Sequence, residues 1–552
     1  MEQSYDFIIV GAGASGAVLA SRLARTPAAP SVLLIEAGGA NANAALLSAA
    51  ERFTVAFKPN SPLNWGYKTV PQTHLDGQEI DYSRGKGLGG STAINFCGWS
   101  VGPRDDYDEW ADIAGDRRFC WGNVKKVLRR IENLDAGIPD QRLRDRLHAK
   151  SEDHSTAGNL VLTYGDRWMP DIGDLFTAAE QSGHKVNPDV NDGDPIGMGM
   201  GSVCTAKGIR ATSASAYLSQ PPQNLGILAD THVARLLFQD KRAVGVETTG
   251  HEKIFAKKEV IVSGGALNTP QILMLSGIGP EQELMKHNIP VLLDAPNVGA
   301  NLQDHCFSAT GIILSKDVSL PLRPPSQSPT PMGWFKLPRV MSSAEFQELP
   351  EKTKNHLSKP TVPAMEMAAY SVSSFLEDDT GPDETYMGAI CLIMSPQSRG
   401  TVTLRSSNPL DPPVLDPKFL THPFDRRLLI EGLREVNRVL SAPVYAARTV
   451  RRLGPKEDTD DAIWEHLKKN LHSSWHMSGT VRMGKSQEEA VVDGRFRIFG
   501  LEACRVVDLS VCPFVINAHT QAAAYIVGEI AADTLAEEYG LGEVTISRLP
   551  VN

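Results

Sequence analysis

Apolar runs and glycine-marked turns alternate from the start of the chain. Tyr5-Asp6-Phe7-Ile8-Ile9-Val10 is an apolar run of strand length that stops at Gly11-Ala12-Gly13-Ala14-Ser15-Gly16. Ala17-Val18-Leu19-Ala20-Ser21-Arg22-Leu23 continues with helical spacing, and Val32-Leu33-Leu34-Ile35 is a second strand pattern that ends at Glu36. Glu259-Val260-Ile261-Val262-Ser263 before Gly264-Gly265 reads as a buried parallel strand. This strand–helix alternation predicts an α/β fold for the first third. The stretch from Leu320 to Pro363, with Pro321, Pro324, Pro325, Pro329 and Pro331, predicts a long loop or lid. Thr401-Val402-Thr403-Leu404 to Pro417 alternates short β-like pieces with prolines, and Phe424 to Leu440 has helical spacing. A last helix follows Gln521, with Ala522, Tyr525, Ile526, Ile530 and Leu535 at apolar positions. The pattern predicts a nucleotide domain and a second, more antiparallel domain that interrupts it.

Each part of the opening unit has a physical job around an adenine dinucleotide. Gly11 permits the tight turn, Gly13 lets a pyrophosphate approach the backbone, and Gly16 lets helix and strand pack closely. The free N–H groups at the helix start, beside Ser15, face the phosphates. Glu36, followed by Ala37, lies twenty residues after Gly16, where a carboxylate accepts hydrogen bonds from a ribose 2′-OH. An acid there disfavours a 2′-phosphate and hence NADP; the loop by itself leaves FAD and NAD open.

Bulk composition narrows the classes. A chain of 552 residues is long enough for more than one core. With 65 acidic against 55 basic residues the net charge is −10, which argues against nucleic acid or an anionic membrane as partner. No apolar run has the length of a membrane span. The first strand begins so close to Met1 that no secretory signal is expected, and the reading is an intracellular, cytoplasmic protein. The seven cysteines show no CxxC pair, so free thiols are expected and a metal site is not.

A second glycine cluster, Arg84-Gly85-Lys86-Gly87-Leu88-Gly89-Gly90-Ser91-Thr92-Ala93-Ile94-Asn95, lets the backbone hug a flat or anionic group, with Arg84 and Lys86 placed to neutralise phosphate. Together with the first loop it closely resembles a signature of the glucose–methanol–choline (GMC) family of FAD oxidoreductases. So do Gly265 to Gly279, Asn297-Val298-Gly299-Ala300-Asn301-Leu302-Gln303-Asp304-His305, and Trp475-His476-Met477-Ser478-Gly479-Thr480-Val481-Arg482-Met483-Gly484 with Val507-Asp508-Leu509-Ser510. The resemblance runs from about residue 5 to about residue 538. It implies a Rossmann-like FAD-binding domain (1–155, 202–305 and 472–552) interleaved with an α+β substrate domain on an antiparallel sheet (156–201 and 306–471).

The same resemblance chooses FAD and distributes its contacts. Gly11, Gly13, Ser15 and Gly16 fall at the pyrophosphate, Glu36 and Ala37 at the adenosine ribose, and Val233 at the adenine. Arg84, Gly89, Gly90, Ser91 and Asn95 lie along the flavin and pyrophosphate. Asp508, Leu509, Thr520 and Gln521 face the ribityl chain and pyrimidine ring, where a helix N-terminus favours negative charge on the reduced flavin. Some relatives link FAD through a histidine at the position of Ile94, so noncovalent FAD is expected here.

Catalysis points to His476 and His519. Taking a hydride from an alcohol carbon requires that the hydroxyl proton also leave, and imidazole is a base with a suitable pKa. By resemblance His476 is the proton acceptor and His519 fixes the substrate oxygen. The electron acceptor is then O₂ or a quinone-like compound. Cys97, Trp475 and Phe514 read as pocket residues. Asn95 either binds substrate oxygen or caps its turn. Trp334, Phe335 and Phe346 either line a channel or pack a lid. Arg210 reads as structural, and His305 and His232 as packing or hydrogen-bonding residues. Met477 and Val481, and Ala518 after Asn517, depart from the Pro, Cys and Asn-Pro common among relatives. The His–His pair nonetheless looks more like aryl-alcohol and sugar oxidases than choline-type enzymes. The expected substrate is an aromatic, allylic or natural-product alcohol. The alternative is a hydroxynitrile lyase-like enzyme on the same fold, in which FAD is structural.

Overall fold

The computed structural model describes residues 4–42, 55–58, 60–165, 168–315, 330–369, 375 and 384–543. The strand Ser4–Val10 lies at the middle of a parallel group, between Val32–Ile35 and Lys253–Val262, with Leu225–Leu228 outside Val32–Ile35. Lys253–Val262 changes partners along its length. Its end, Val260 to Val262, pairs in parallel with Cys504–Val506, while Lys253 to Phe255 pair antiparallel with Arg242–Thr248, which carries Val233–Gln239. Continuous apolar runs suit strands covered on both faces, and Phe7, Ile8 and Ile9 are wholly buried.

The helices Ala14–Ala24 and Gln521–Glu538 cover this sheet with almost every residue buried. They cross closely because Gly528 carries no side chain: a Cβ there would stand 2.7 Å from the carbonyl oxygen of Ser15. Both helices start beyond the carboxyl ends of the parallel strands, which is where open α/β sheets place their ligands.

The second sheet is antiparallel, in the order Thr449–Leu453, Cys306–Leu314, Thr385–Ile393, Met365–Ala369, Pro331–Phe335, Gly197–Met200. His472–Ser473 pairs with the start of Cys306–Leu314. The helix Pro423–Leu440 packs on this sheet through Leu428, Leu429, Leu433 and Val436.

The proline-rich segment corrects the expectation of a long loop. Residues 330–363 hold the strand Pro331–Phe335 and the helices Pro338–Met341, Ala344–Gln347 and Glu351–Ser358; residues 320–329 lie outside the described residues. The prolines sit where they are tolerated, Pro331 at the first strand position and Pro338 at the first helical one. Trp334, Phe335 and Phe346 are therefore core residues, buried in the sheet and beneath its helices, and line neither a channel nor a lid. All seven cysteines are free thiols. Among the described residues no helix is long and apolar enough to cross a membrane.

Candidate active site

A cavity of about 770 Å³ is lined from both sheets, within the range of sites that take a large ligand. At its nucleotide end the walls are backbone. Gly11 adopts φ +105°, and a Cβ there would lie 2.3 Å from the carbonyl oxygen of Ser263. Gly16 stands away from the cavity with a packing role, since a Cβ on it would reach 2.0 Å from the carbonyl of Gly11. Gly13 is different: nothing in the chain lies within 4 Å of its Cβ position, so it faces open space. The second loop docks on the first. Gly89 donates its N–H to the carbonyl of Ala12 and is not on the cavity wall, while a Cβ on Gly90 would lie 2.8 Å from the Cα of Gly13. The carboxylate of Glu36 ties three loops, accepting from the amides of Ala12 (2.9 Å), Gly38 (3.0 Å) and Gly87 (3.0 Å). Ala37, Val233, Leu509, Thr520 and Gln521 line the same cavity. The bare face of Gly13, a buried acid and a helix N-terminus fit an adenine dinucleotide.

Several side chains at this end are engaged differently from the sequence expectation. Arg84 does not reach for phosphate. Its guanidinium donates to the carbonyl of Trp475 (2.5 Å) and to Ser91 Oγ (3.0 Å), which ties the glycine loop to the segment that carries His476. Lys86 stands 4.6 Å over the ring of Trp65. Ser15 donates to the carbonyl of Ala524 (2.7 Å). Asp508 lines the cavity while accepting from Gly265 N, Thr269 Oγ1 and Ser510 N. Asn95 donates to Gln521 and accepts from Cys97 N (3.0 Å) and the buried Arg210 (2.7 Å), so its oxygen caps the turn at Cys97, where φ is +62°.

At the other end side chains from distant stretches converge. The rings of His476 and His519 lie 5.2 Å apart, both on the cavity wall. His519 Nε2 bonds Glu366 Oε1 at 2.8 Å, and Glu366 is wholly buried as the second residue of the strand Met365–Ala369. Burial opposes a charge on His519, but the charge and hydrogen bond of Glu366 outweigh it and raise its pKa. The other nitrogen, Nδ1, lies 3.1 Å from where a Cβ on Gly98 would stand, so a glycine at 98 makes room for the ring. The loop before His519 is held by the buried Asp106, which accepts both the N–H (2.8 Å) and the Nδ2 (3.1 Å) of Asn517.

His476 is held by the Asn297–His305 motif. Asp304 accepts the backbone N–H of His476 (2.7 Å) and the hydroxyl of Ser473 (2.5 Å), and His305 Nδ1 lies 3.0 Å from His476 Nδ1. Burial first, then the positive charges of His519 and Arg84 and the neighbouring His305, push the His476 pKa well down. Burial likewise pushes Asp304 up to about 7, against its hydrogen bonds and Arg84. Cys97 and Trp475 line the cavity, with Phe96 6.0 Å from the Trp475 ring. Phe514 does not line it; it packs against His356 at 5.5 Å, outside the pocket that the sequence assigned to it.

Glu366 and the wall residues Phe307, Met332 and Leu392 escaped sequence reasoning. For Glu366 a signal exists: a lone acid within the apolar run Met365-Glu366-Met367-Ala368-Ala369, where an unpaired carboxylate would be costly to bury.

Comparisons with known proteins bear on the family and the fold. The GMC oxidoreductase N-terminal model matches residues 5–307 and the C-terminal model residues 396–528. The chain is 34% identical to an uncharacterised GMC-type oxidoreductase of Mycobacterium tuberculosis, over 97% of this chain and 100% of that one. It is 32% identical to an alcohol dehydrogenase [acceptor] of Pseudomonas putida over 98% of each. Its structure is similar to that of pyridoxine 4-oxidase from Mesorbium loti, with a TM-score of 0.84, 26% identity and coverage of 96% of this chain and 99% of that one.

Proposed function

This chain belongs to the GMC oxidoreductase family and is an FAD-dependent enzyme acting on CH–OH donors, and from that premise we propose that it oxidises an aromatic or allylic alcohol, of the kind found among natural products. The observation that carries this reading is the pairing of two imidazoles, 5.2 Å apart, with a wall of Phe57, Phe96, Phe307, Phe375, Tyr386 and Trp475. Such a wall takes a flat apolar group and offers few partners to the hydroxyls of a sugar.

Residues Gly11, Gly13, Glu36, Gly90, Val233, Asp508, Thr520 and Gln521 would hold the cofactor, with Gly16 and Gly89 shaping the loops behind them. Ile94, at the position of the histidine that links FAD in some relatives, has no nucleophilic atom, which supports a noncovalent cofactor. FAD bound there supplies the hydride acceptor. His476 takes the hydroxyl proton at the ring nitrogen facing the cavity, the role a neutral imidazole suits. His519, whose proton affinity Glu366 raises, donates from Nδ1 to the same oxygen and stabilises the alkoxide character that grows there. The N-terminus of Gln521–Glu538 favours negative charge beside Thr520 and Gln521. The apolar wall excludes water, so both hydrogen bonds act in a low dielectric. The electron acceptor we propose is O₂ or a quinone-like compound.

The test is anaerobic addition of benzylic, allylic, aliphatic and sugar alcohols to the purified yellow protein. Benzylic or allylic alcohols are expected to bleach the flavin band at ~450 nm, and admitted oxygen or an added quinone to restore it. A flavin that no alcohol bleaches, in a protein that releases cyanide from a hydroxynitrile, would overturn the reading in favour of a lyase.

A further inference from the structure

The segment Gln303 to Cys306 does more than support the sheet. Gln303 and Ser478 exchange backbone hydrogen bonds, the carbonyl of His305 accepts the N–H of Ser474, and the carboxylate of Asp304 accepts the N–H of His476. The His476 backbone is thereby fixed. One contact reaches the ring itself: His305 Nδ1 to His476 Nδ1 at 3.0 Å, with the two rings nearly perpendicular at 87°. His305 is 0% exposed, and its Nε2 has no partner among the described residues.

We propose that His305 is the positioning residue for the base: it accepts a hydrogen bond from His476 Nδ1 and so directs the lone pair of His476 Nε2 into the cavity. This rests on the reading of His476 as proton acceptor. The chemistry of the contact is restrictive. Two imidazole nitrogens 3.0 Å apart share one proton, so one ring donates and the other accepts. If His305 donates, His476 must carry its own proton on Nε2 and shows the cavity a donor, useless as a base. If His476 donates, Nε2 is bare. In the step itself the substrate O–H bond breaks, an N–H bond forms at His476 Nε2, and the oxygen keeps the electron pair. The resulting imidazolium has protons on both nitrogens, so after the step only His305 can be the acceptor.

His305 therefore has the place of a triad carboxylate without the charge. A neutral acceptor orients the ring and leaves its proton affinity low, which keeps the cavity side free of a second cation next to His519. The groups that face the pair agree with this. Burial and then the charge of His519 lower the pKa of His305 to about 3, so it stays neutral. Arg84 approaches from the glycine loop, Asp304 and Cys306 flank His305 on its own segment, and Glu366 lies behind His519.

The test compares three variants of the FAD-loaded protein. His305→Asn retains an acceptor oxygen near the Nδ1 position and is expected to keep most of the flavin-reduction rate. His305→Leu removes the acceptor and is expected to lose about tenfold or more, below the ~10²–10⁴-fold of the base itself, with KM little changed. His305→Asp places a carboxylate behind the base and is expected to move the acidic limb of the kcat/KM profile upward by about a pH unit or more. A second readout needs no turnover: in protein labelled with ¹⁵N-histidine, the His476 Nδ1 resonance should report a protonated nitrogen in wild type and His305→Asn, and change in His305→Leu. A His305→Asp protein with an unmoved pH profile and an unmoved His476 resonance would overturn the proposal. His476→Ala separates the two levels: if that variant reduces its flavin normally, the assignment of the base fails, whatever His305 does.

Discussion

The two ends of the cavity are built from different material. At the nucleotide end the wall is backbone, shaped by glycines that lie within one or two short segments, and the residues that matter are fixed by turn geometry. At the catalytic end the wall is side chain, gathered from Arg84, Phe307, Trp475, His476 and His519, with Asp304, His305 and Glu366 standing behind the two histidines. The first end is a local construction and tolerates little change in sequence spacing. The second is a tertiary construction, in which each reactive ring bonds a buried partner more than a hundred residues away: Glu366 for His519 and His305 for His476. The two imidazoles are thus driven apart in proton affinity, one raised and one lowered, although both stand on the same wall.

The sharpest break of that comparison lies at the nucleotide end. Gly16→Val forces a side chain into a gap where a Cβ alone would meet a carbonyl oxygen at 2.0 Å. Neither the strand Ser4–Val10 nor the helix behind it can yield without unpacking the core. The variant should be insoluble, or flavin-free with a greatly lowered melting temperature, by absorbance and thermal unfolding. A yellow, stable Gly16→Val protein would show that this end is not set by backbone packing.

His476→Ala breaks the other end alone. It leaves the glycine loops and the Glu36 contacts intact, so the protein should remain yellow with a similar melting temperature. The flavin-reduction rate should fall by about 10²–10⁴-fold with a saturating alcohol. A fall in flavin content of the same size would mean that the two ends are one structural unit.

Glu366→Gln acts on the partner and is expected to be milder, about tenfold in flavin reduction near neutral pH. The sign follows from the raised pKa of His519. A raised folded-state pKa means that the imidazolium form, and the stability it brings, is complete below the unfolded value and is lost as pH rises through the folded one. Taking away the carboxylate lowers that folded value, so the alkaline limb of the rate profile and of thermal stability should both shift to lower pH. A profile unchanged in shape would leave Glu366 with packing alone.

How much of this was legible beforehand follows the same division. The opening strand, Gly11, Gly13, Gly16 and Glu36 could be read from spacing, because a tight turn and a close strand–helix contact demand particular residues at particular offsets. The antiparallel sheet was expected only through family resemblance, and its proline-rich part was misread. The composition around Pro321 to Pro331 suggested a loop, yet Met332, Gly333, Trp334 and Phe335 are buried strand residues whose partners, Met365 to Ala368, lie some thirty residues on. Phe514 shows the converse. Its neighbours in sequence carry the chemistry, but its ring turns to His356, a contact no local pattern announces. His305 stood in a recognisable motif, yet its contact with His476 spans 171 residues and depends on two strands being side by side.

The finest test returns to the glycine that faces open space. Gly13 has φ −69° and ψ −167°, a conformation any residue adopts, and nothing in the chain lies within 4 Å of its Cβ position. Alanine there should therefore leave folding untouched, unlike valine at 16. If the space belongs to the pyrophosphate, a methyl group would hold the phosphates off the loop amides and weaken FAD binding by roughly tenfold or less, the equivalent of about 1.4 kcal/mol. Flavin release measured by dilution or fluorescence would detect this. Unchanged flavin affinity in Gly13→Ala would mean that the bare glycine face is not where the dinucleotide presses. The backbone approach would then belong to Gly90, whose own Cβ position lies against the Cα of Gly13.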